Sequence, residues 1–445
     1  MKPIEVRFSL SILFYSIIAF CYTPASAADI YVSPGGSGAG SINDPADLQI
    51  ALNTAAANME DDVIYLEMGT YSGNFTYTPT TDANSIEIQG GWNSDFSIRT
   101  IAPANTILDG SNSGRVLQFN DHNTSTVSSS ITVEGITVQR GSADMGAGIY
   151  AYTLPPGNIV LRNNIVANNH AEGIGGGILA ACDWTSPTGC NINISNNIIY
   201  NNSATGYMDG DTRESGEGGG CFLLSTGITV IVNNLIHDNT AGTSRTFEGM
   251  GGGISVDIYS GTLNFTNNTV TKNTAYQEYN GTNGTGGGVM IGTADAPWGS
   301  ADIHLFNSII YGNFSESPQG ANDIYQNIST TGPAAGSSIE IRYCNYTDMN
   351  ISGGVSPITS NNLHVFPYFS TDAATLYFLT DKSQCIDAGS NFAPSLPNKD
   401  LAGWSRPQDG DNNGVAVANM GSYEQVVEVP FPWTTIFPAI FKGQD

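Results

Sequence analysis

Apolar and polar residues alternate with period two over short stretches, and glycine, asparagine, serine and threonine separate those stretches. Such alternation marks strands with one face in a core and one outside. Before the middle of the chain it predicts strands at 63–68, 75–78, 86–89, 116–119, 131–133 and 136–138. One segment departs from the pattern. Asp44 is read as a helix N-cap with Pro45 at the first helical position. Leu48, Ala51, Leu52, Ala55 and Ala56 then recur at helical spacing as far as Met59. A lone amphipathic helix ahead of many strands is expected to plug the open end of their core.

From Asn163 onward the alternation acquires a longer period. The phrase reads NNIVANNHA at Asn163, NNIIYNNSA at Asn196, NNLIHDNTA at Asn233 and NNTVTKNTA at Asn267, decaying to NSIIYGNFS at Asn307. Between the copies, three glycines run into an apolar residue: Gly175 to Gly177 before Ile178, Gly218 to Gly220 before Cys221, Gly251 to Gly253 before Ile254, and Gly286 to Gly288 before Val289. A unit this short cannot bury a core alone and must stack on its neighbours, so the repeat predicts a solenoid. Three strands fit one unit, at 178–181, 191–195 and 198–200. Tight asparagine turns separate the last two, because asparagine tolerates left-handed backbone and its amide can bond its counterpart one coil away. The fold class is all-β: a right-handed parallel β-helix with an N-terminal capping helix. Asn164, Asn197, Asn234 and Asn268 are expected to form one column at about 5 Å spacing.

Charge narrows the partners. Only 12% of residues are charged and the net charge is -26, which disfavours nucleic acid and anionic membranes. Lys2 and Arg7, an apolar stretch over 10–20 and the Ala25-Ser26-Ala27 site read as a secretory leader, too short to span a membrane. Of the six cysteines Cys21 lies in that leader. Cys182 and Cys190 bracket a short loop and are a disulfide candidate worth roughly 2–3 kcal/mol. The chain divides into the leader at 1–27, a cap with first coils at 28–110, central repeats at 111–345, C-terminal coils and cap at 346–425, and a tail at 426–445.

Three further stretches carry a family resemblance: YVSPGGSGAG…DPADLQIALNTAA…DVIYLEMGTYSGNFT, IEIQGGWNSDFSIR…TILDG, and the closing QCIDAGSN…DLAGWSRPQDGDNNGVAVANMGSYEQ. With the glycine and asparagine rhythm they resemble secreted β-helices of the pectate-lyase-like architecture. The chain is more closely similar to "choice-of-anchor Q" domain proteins, and its repeats to those of polymorphic outer-membrane proteins. The resemblance spans roughly residues 29–425 and departs from the family pattern at Asn419, where an acidic residue is usual. It implies a secreted or cell-surface location, in the extracellular space, outer membrane or periplasm, and assigns no reaction. It also implies that a ligand would lie along the first strand of each coil. A lyase of that shape needs a basic residue on this floor, and the segments ILA, CFL, ISV and VMI supply none.

The remaining chemistry is in the loops. Asp209, Asp211, Glu214 and Glu217 crowd one loop, and Glu248 and Glu278 stand in its neighbours. Glycoside hydrolysis needs two carboxylates about 5–10 Å apart, although acidic loops also serve solubility alone. Tyr152, Trp184, Tyr259 and Trp298 fall after the first strand of successive coils, where rings suit either the apolar faces of a glycan or local packing. Asp409, Asp411 and Asn413 match the first half of a calcium loop, but Met420 stands at its twelfth position, so an Asx turn competes with a structural Ca²⁺ site. Otherwise no cofactor is expected. The expected role is loop presentation for a polysaccharide, surface glycan or protein partner without catalysis. A polysaccharide hydrolase working through the loop carboxylates and a purely structural surface protein are the alternatives.

Overall fold

The computed structural model describes residues 28–425, except 59, 80–83, 121–127, 184–188, 210–211, 244–246, 277–284, 294–298, 317–321, 329–335 and 353–354. Three long sheets dominate, every pairing within them parallel. The first-strand sheet has nine strands, from Phe75–Tyr77 to Met349–Ser352. An 11-stranded second sheet runs from Ala28–Val32 to Ile358–Ser360, and a nine-stranded third sheet from Gly69–Ser72 to Asn345–Tyr346. Each strand pairs with its equivalent one coil away, as Ile192 does with Thr229. The fold is a right-handed parallel β-helix, the hand that parallel crossovers take. A fourth ladder of two-residue strands joins them, including Ser203–Ala204 and Thr240–Ala241. The short words that close each asparagine phrase are therefore strands as well.

Inward residues of every coil form one core from Ile30 to Tyr346. The helix covers its N-terminal end with Leu48, Ala51, Leu52, Ala55 and Ala56 buried, but it begins later than the sequence suggests. It spans Leu48–Ala57 and is capped by Asp47, whose carboxylate accepts the Gln49 N–H at 2.8 Å. Asp44 and Ala46 are drawn off by the first strand: the Ala46 N–H bonds Tyr31 O, and Asp44 Oδ2 takes the Ala39 N–H.

The asparagine column stands as expected. The Asn164 N–H donates to Asn197 Oδ1, the Asn197 N–H to Asn234 Oδ1, and the Asn234 N–H to Asn268 Oδ1, each at 2.9–3.0 Å. A second column runs through Asn169, Asn202, Asn239, Asn273 and Asn313. It explains the glycines. A Cβ on Gly220 would lie 3.0 Å from Asn239 Nδ2, and one on Gly253 would lie 2.9 Å from Asn273 Nδ2. The first glycine of each triplet adopts positive φ, 61° at Gly218 and 62° at Gly251. Triplet and phrase are two halves of one contact.

The coils end at Ser360. Residues 361–425 contain no further strand and fold back along the outside of the helix as a strap. Tyr377, Phe378 and Tyr423 pack on Ile165, Ile198 and Leu235 of the third sheet. The strap also takes over a third column of asparagines. Asn267 Nδ2 donates to the carbonyls of Asn419 and Gly421, and Asn307 Nδ2 to that of Ser390. Pro394 O accepts the Thr266 hydroxyl on the second sheet. The closing motif of the resemblance is thus the part that binds five coils together. Asn419 accepts the Asp387 N–H through Oδ1 and is fully buried.

Candidate functional site

The first-strand sheet presents an outer face bounded by loops. Ile254, Val256 and Ile258 point into the core, so Ser255 and Asp257 point outward. Register places Asp257 beside Leu224 of the preceding coil and Gly292 of the following one. Leu224 is preceded in turn by Ala181 and Tyr152. Tyr152, Ala181, Leu224, Asp257 and Gly292 form one outward file. The parallel file through Leu179, Phe222, Ser255 and Met290 is buried. Gly292 has a specific role here, because any Cβ would sit 2.5 Å from Asp257 Oδ1. Its absence leaves the carboxylate room against the next coil.

A wall stands along this file. The segments that lead into the glycine triplets stack in register: Ile174 bridges Glu217, the strand Gly216–Glu217 pairs with Gly249–Met250, and Met250 bridges Thr285. Glu217 therefore reaches the strip from the wall and Asp257 from the floor. The outer loop strands Tyr207–Asp209 and Thr212–Glu214 pair antiparallel as a hairpin ahead of that wall. The wall's fixed register follows from the glycines behind it.

Electrostatics single out this place. Burial pushes the Glu217 carboxyl up to about 7, and the charges of Asp257, Glu248 and Glu214 act in the same direction. The Ser215 hydroxyl, donating to Glu217 Oε1 at 2.8 Å, opposes them. Burial likewise pushes Asp257 up to about 6. The Tyr259 phenol is raised by burial and then by the charges of Asp257 and Glu217, which makes the three neighbours. Tyr152 is raised by burial and then by Asp183 and Tyr150. At the far end of the face Arg115 lies 4.6 Å above the Tyr150 ring and is held by Asp144 at 2.7 Å.

Of the acidic candidates, Glu217 is at the strip and Glu214 contributes to its charge, Asp209 closes a short strand, and Asp211 lies outside the described residues, as does Glu278. Of the aromatic candidates, Tyr152 lies within its first strand, Ile149–Thr153, and in the file itself rather than after it, Tyr259 follows its strand beside the strip, and Trp184 and Trp298 lie outside the described residues. Asp257 was not among the candidates. The alternation I-S-V-D-I carries the strand through Ile258 and places Asp257 on the outer face, a signal lost by ending the strand at Val256. Cys182 and Cys190 are disulfide-bonded, with Cα atoms 6.1 Å apart, and Cys221, Cys344 and Cys385 are buried free thiols.

The calcium-loop candidates lie in the strap. Asp387, Asp409 and Asp411 each offer an oxygen within 4.8 Å of the others. Asn413 is turned into its own loop: Oδ1 accepts the Val415 N–H and Nδ2 donates to Asp411. Asp387, from an earlier turn of the strap, takes the third place. Its carboxylate also accepts the N–H groups of Gly410 and Asp411.

Neither family models nor curated proteins match the chain. Among solved structures, a pectate lyase superposes over 90% of this chain and 97% of its own, with a TM-score of 0.43 and 15% sequence identity. The fold rests on the strand register above, and the activity in that title belongs to the neighbour. Among the described residues no helix is long and apolar enough to cross a membrane.

Proposed function

We propose that the outer face of the first-strand sheet is a binding groove for an extended glycan, on a protein that is secreted or displayed at a surface. The observation that supports this most is the strip itself. Tyr152 and Tyr259 offer ring faces, and Glu217 and Asp257 offer acceptors for hydroxyl groups between them, on strands about 4.8 Å apart. The leader-like N-terminus supports export. The acidic charge of the chain and the strip argues for neutral or basic sugars over polyanions.

A second reading is favoured by the carboxyl pair. At neutral pH a carboxyl near 7 is in part protonated while one near 6 is mostly ionised, the division of roles that glycoside hydrolysis requires. In that reading Glu217 donates a proton to the leaving oxygen, and Asp257 acts as base or nucleophile.

A glycan-array screen paired with a reducing-end release assay tests both. A binder engages one class of glycan, loses affinity on Tyr259→Ala and releases no reducing ends. A hydrolase releases ends and stops on Glu217→Gln with binding retained. Absence of both across a broad panel defeats the glycan reading and leaves a structural surface role. The turn at Asp409 is proposed as a structural Ca²⁺ site, with Asp387, Asp409 and Asp411 as its carboxylates.

A further inference from the structure

The strap contains an unequal set of charges sealed from water. Asp400, Arg406 and Glu424 are 3%, 6% and 1% exposed. Arg406 Nε donates to Glu424 Oε1 at 2.6 Å, one terminal nitrogen to Asn233 Oδ1 on the coils, and the other to Gly421 O. Asp400 accepts the N–H groups of Trp404 and Glu424 at 2.7 and 2.8 Å. The charged groups facing Asp400 are Arg406 and Glu424, both of the strap, and the titratable Tyr423 hydroxyl lies beside it without a hydrogen-bond partner. The coil side presents Asn233 and the apolar Ile165, Ile198 and Leu235. One guanidinium is therefore set against two carboxylates. Burying a net charge is costly, and the group with the weaker claim on the cation is the one that protonates.

We propose that the strap is a proton-gated clasp, seated more tightly on the coils in mild acid because Asp400 takes up a proton as the strap docks and so balances the buried charge. Burial, the largest cause, pushes Asp400 up to about 6. The sign follows by linkage: a carboxyl whose docked value lies above its free value favours docking below the free value, and that advantage is lost as pH rises through about 6. The other end of the strap covers a coil residue whose linkage with pH has the opposite sign. Tyr377 seats on His237, which is held neutral by burial, with Asp238 and Lys272 alongside. Because burial lowers His237, contact at that end is disfavoured as pH falls, the reverse of Asp400, so the gain in mild acid is a property of the Asp400 end of the strap. Opening the clasp uncovers Ile165, Ile198 and Leu235, so pH would control access to an apolar strip.

Hydrogen exchange on the full chain, expressed as protection factors to remove the intrinsic effect of pH, tests this. Amides of Leu401, Glu424 and Gly421 are expected to gain about tenfold in protection between pH 7.5 and pH 5.0. Second-sheet amides such as Ile194 serve as the control and should not change in step. Asp400→Asn and Glu424→Gln each leave one cation against at most one carboxylate, so each should flatten the response to less than about twofold. If the strap is merely an inert seal, both variants lower protection equally at the two pH values and the proposal falls. It falls too if the unmutated strap shows no pH response, or if Glu424→Gln retains the full response.

Discussion

Two regions of this molecule hold carboxylates in opposite company, fully buried in the strap and half-buried on the first-strand face. In the strap, Glu424 meets a guanidinium, and Asp400 accepts two backbone N–H groups beside it. On the first-strand face, Glu217 has the Ser215 hydroxyl and otherwise the charges of other acids, and Asp257 is raised by burial alone. The strap has arranged partners for its charges, as a structural element must. Among the described residues the strip gathers carboxyls raised by burial and by one another, which costs stability and is tolerated at places that act on something else.

The comparison breaks most sharply at Arg406. Arg406→Ala leaves two carboxylates buried without a cation and is expected to cost about 3–5 kcal/mol, read as a lower midpoint in urea unfolding. A loss under about 1 kcal/mol would make the strap's charges incidental. Asn234→Ala interrupts the inner ladder between Asn197 and Asn268 and should cost about 1–3 kcal/mol, since buried backbone donors lose their acceptor. A neutral result there would show that the coils are held by their apolar core alone.

The strip should respond the other way. Glu217→Gln removes a charge that burial and neighbouring acids disfavour, so stability at pH 8 is expected to hold within about 0.5 kcal/mol or rise. Both Glu217 and Asp257 titrate above their ordinary values. Their contribution to the folded state is therefore fully present below the ordinary carboxyl range, about pH 4, and is lost as pH rises through about 6 and then about 7. Thermal melts of the double variant Glu217→Gln with Asp257→Asn should lose part of this pH dependence, and an unchanged profile would deny that the two carboxyls are perturbed. The smallest effect expected is that of calcium. Millimolar Ca²⁺ should raise the melting temperature by a few degrees through selective binding to the folded state, and Asp409→Ala with Asp411→Ala should abolish the shift. No shift in the unmutated protein leaves the segment an Asx turn.

Legibility in the sequence followed periodicity. The coil strands could be read because β-branched residues alternate between asparagine turns, and the ladder at Asn164, Asn197, Asn234 and Asn268 needed only the repeat. The helix start was misplaced because Asp44-Pro45 has the composition of a cap, while the tertiary bond from Ala46 to Tyr31 claims that turn for the sheet. The strap lacks any period. Its glycines, prolines and acids read as irregular turns, and only contacts across more than a hundred residues, such as Arg406 with Asn233, reveal its course. The site was half legible for a similar reason. Glu217 stood in an acidic loop open to inspection, whereas Asp257 gains its meaning from Gly292 in the next coil, a partner that no local window contains.

The interlock of Gly220 with Asn239, and of Gly253 with Asn273, also separates the chain into parts that can and cannot change length. Within a strand or an asparagine phrase, adding one residue would turn a strand inside out and pull an amide off its rung, whereas the link between first and second strands already differs in length from coil to coil, as at Cys182 to Cys190. Past the phrase, before the next triplet, the backbone leaves the stack and returns to it, so insertions there meet little resistance. A new loop grafted between the bridged residues Thr243 and Phe247 would therefore spring from a fixed pair of anchors, like a tool clipped to a rail. Under the glycan reading, specificity is expected to be rewritable there without disturbing the spacing of the coils beneath.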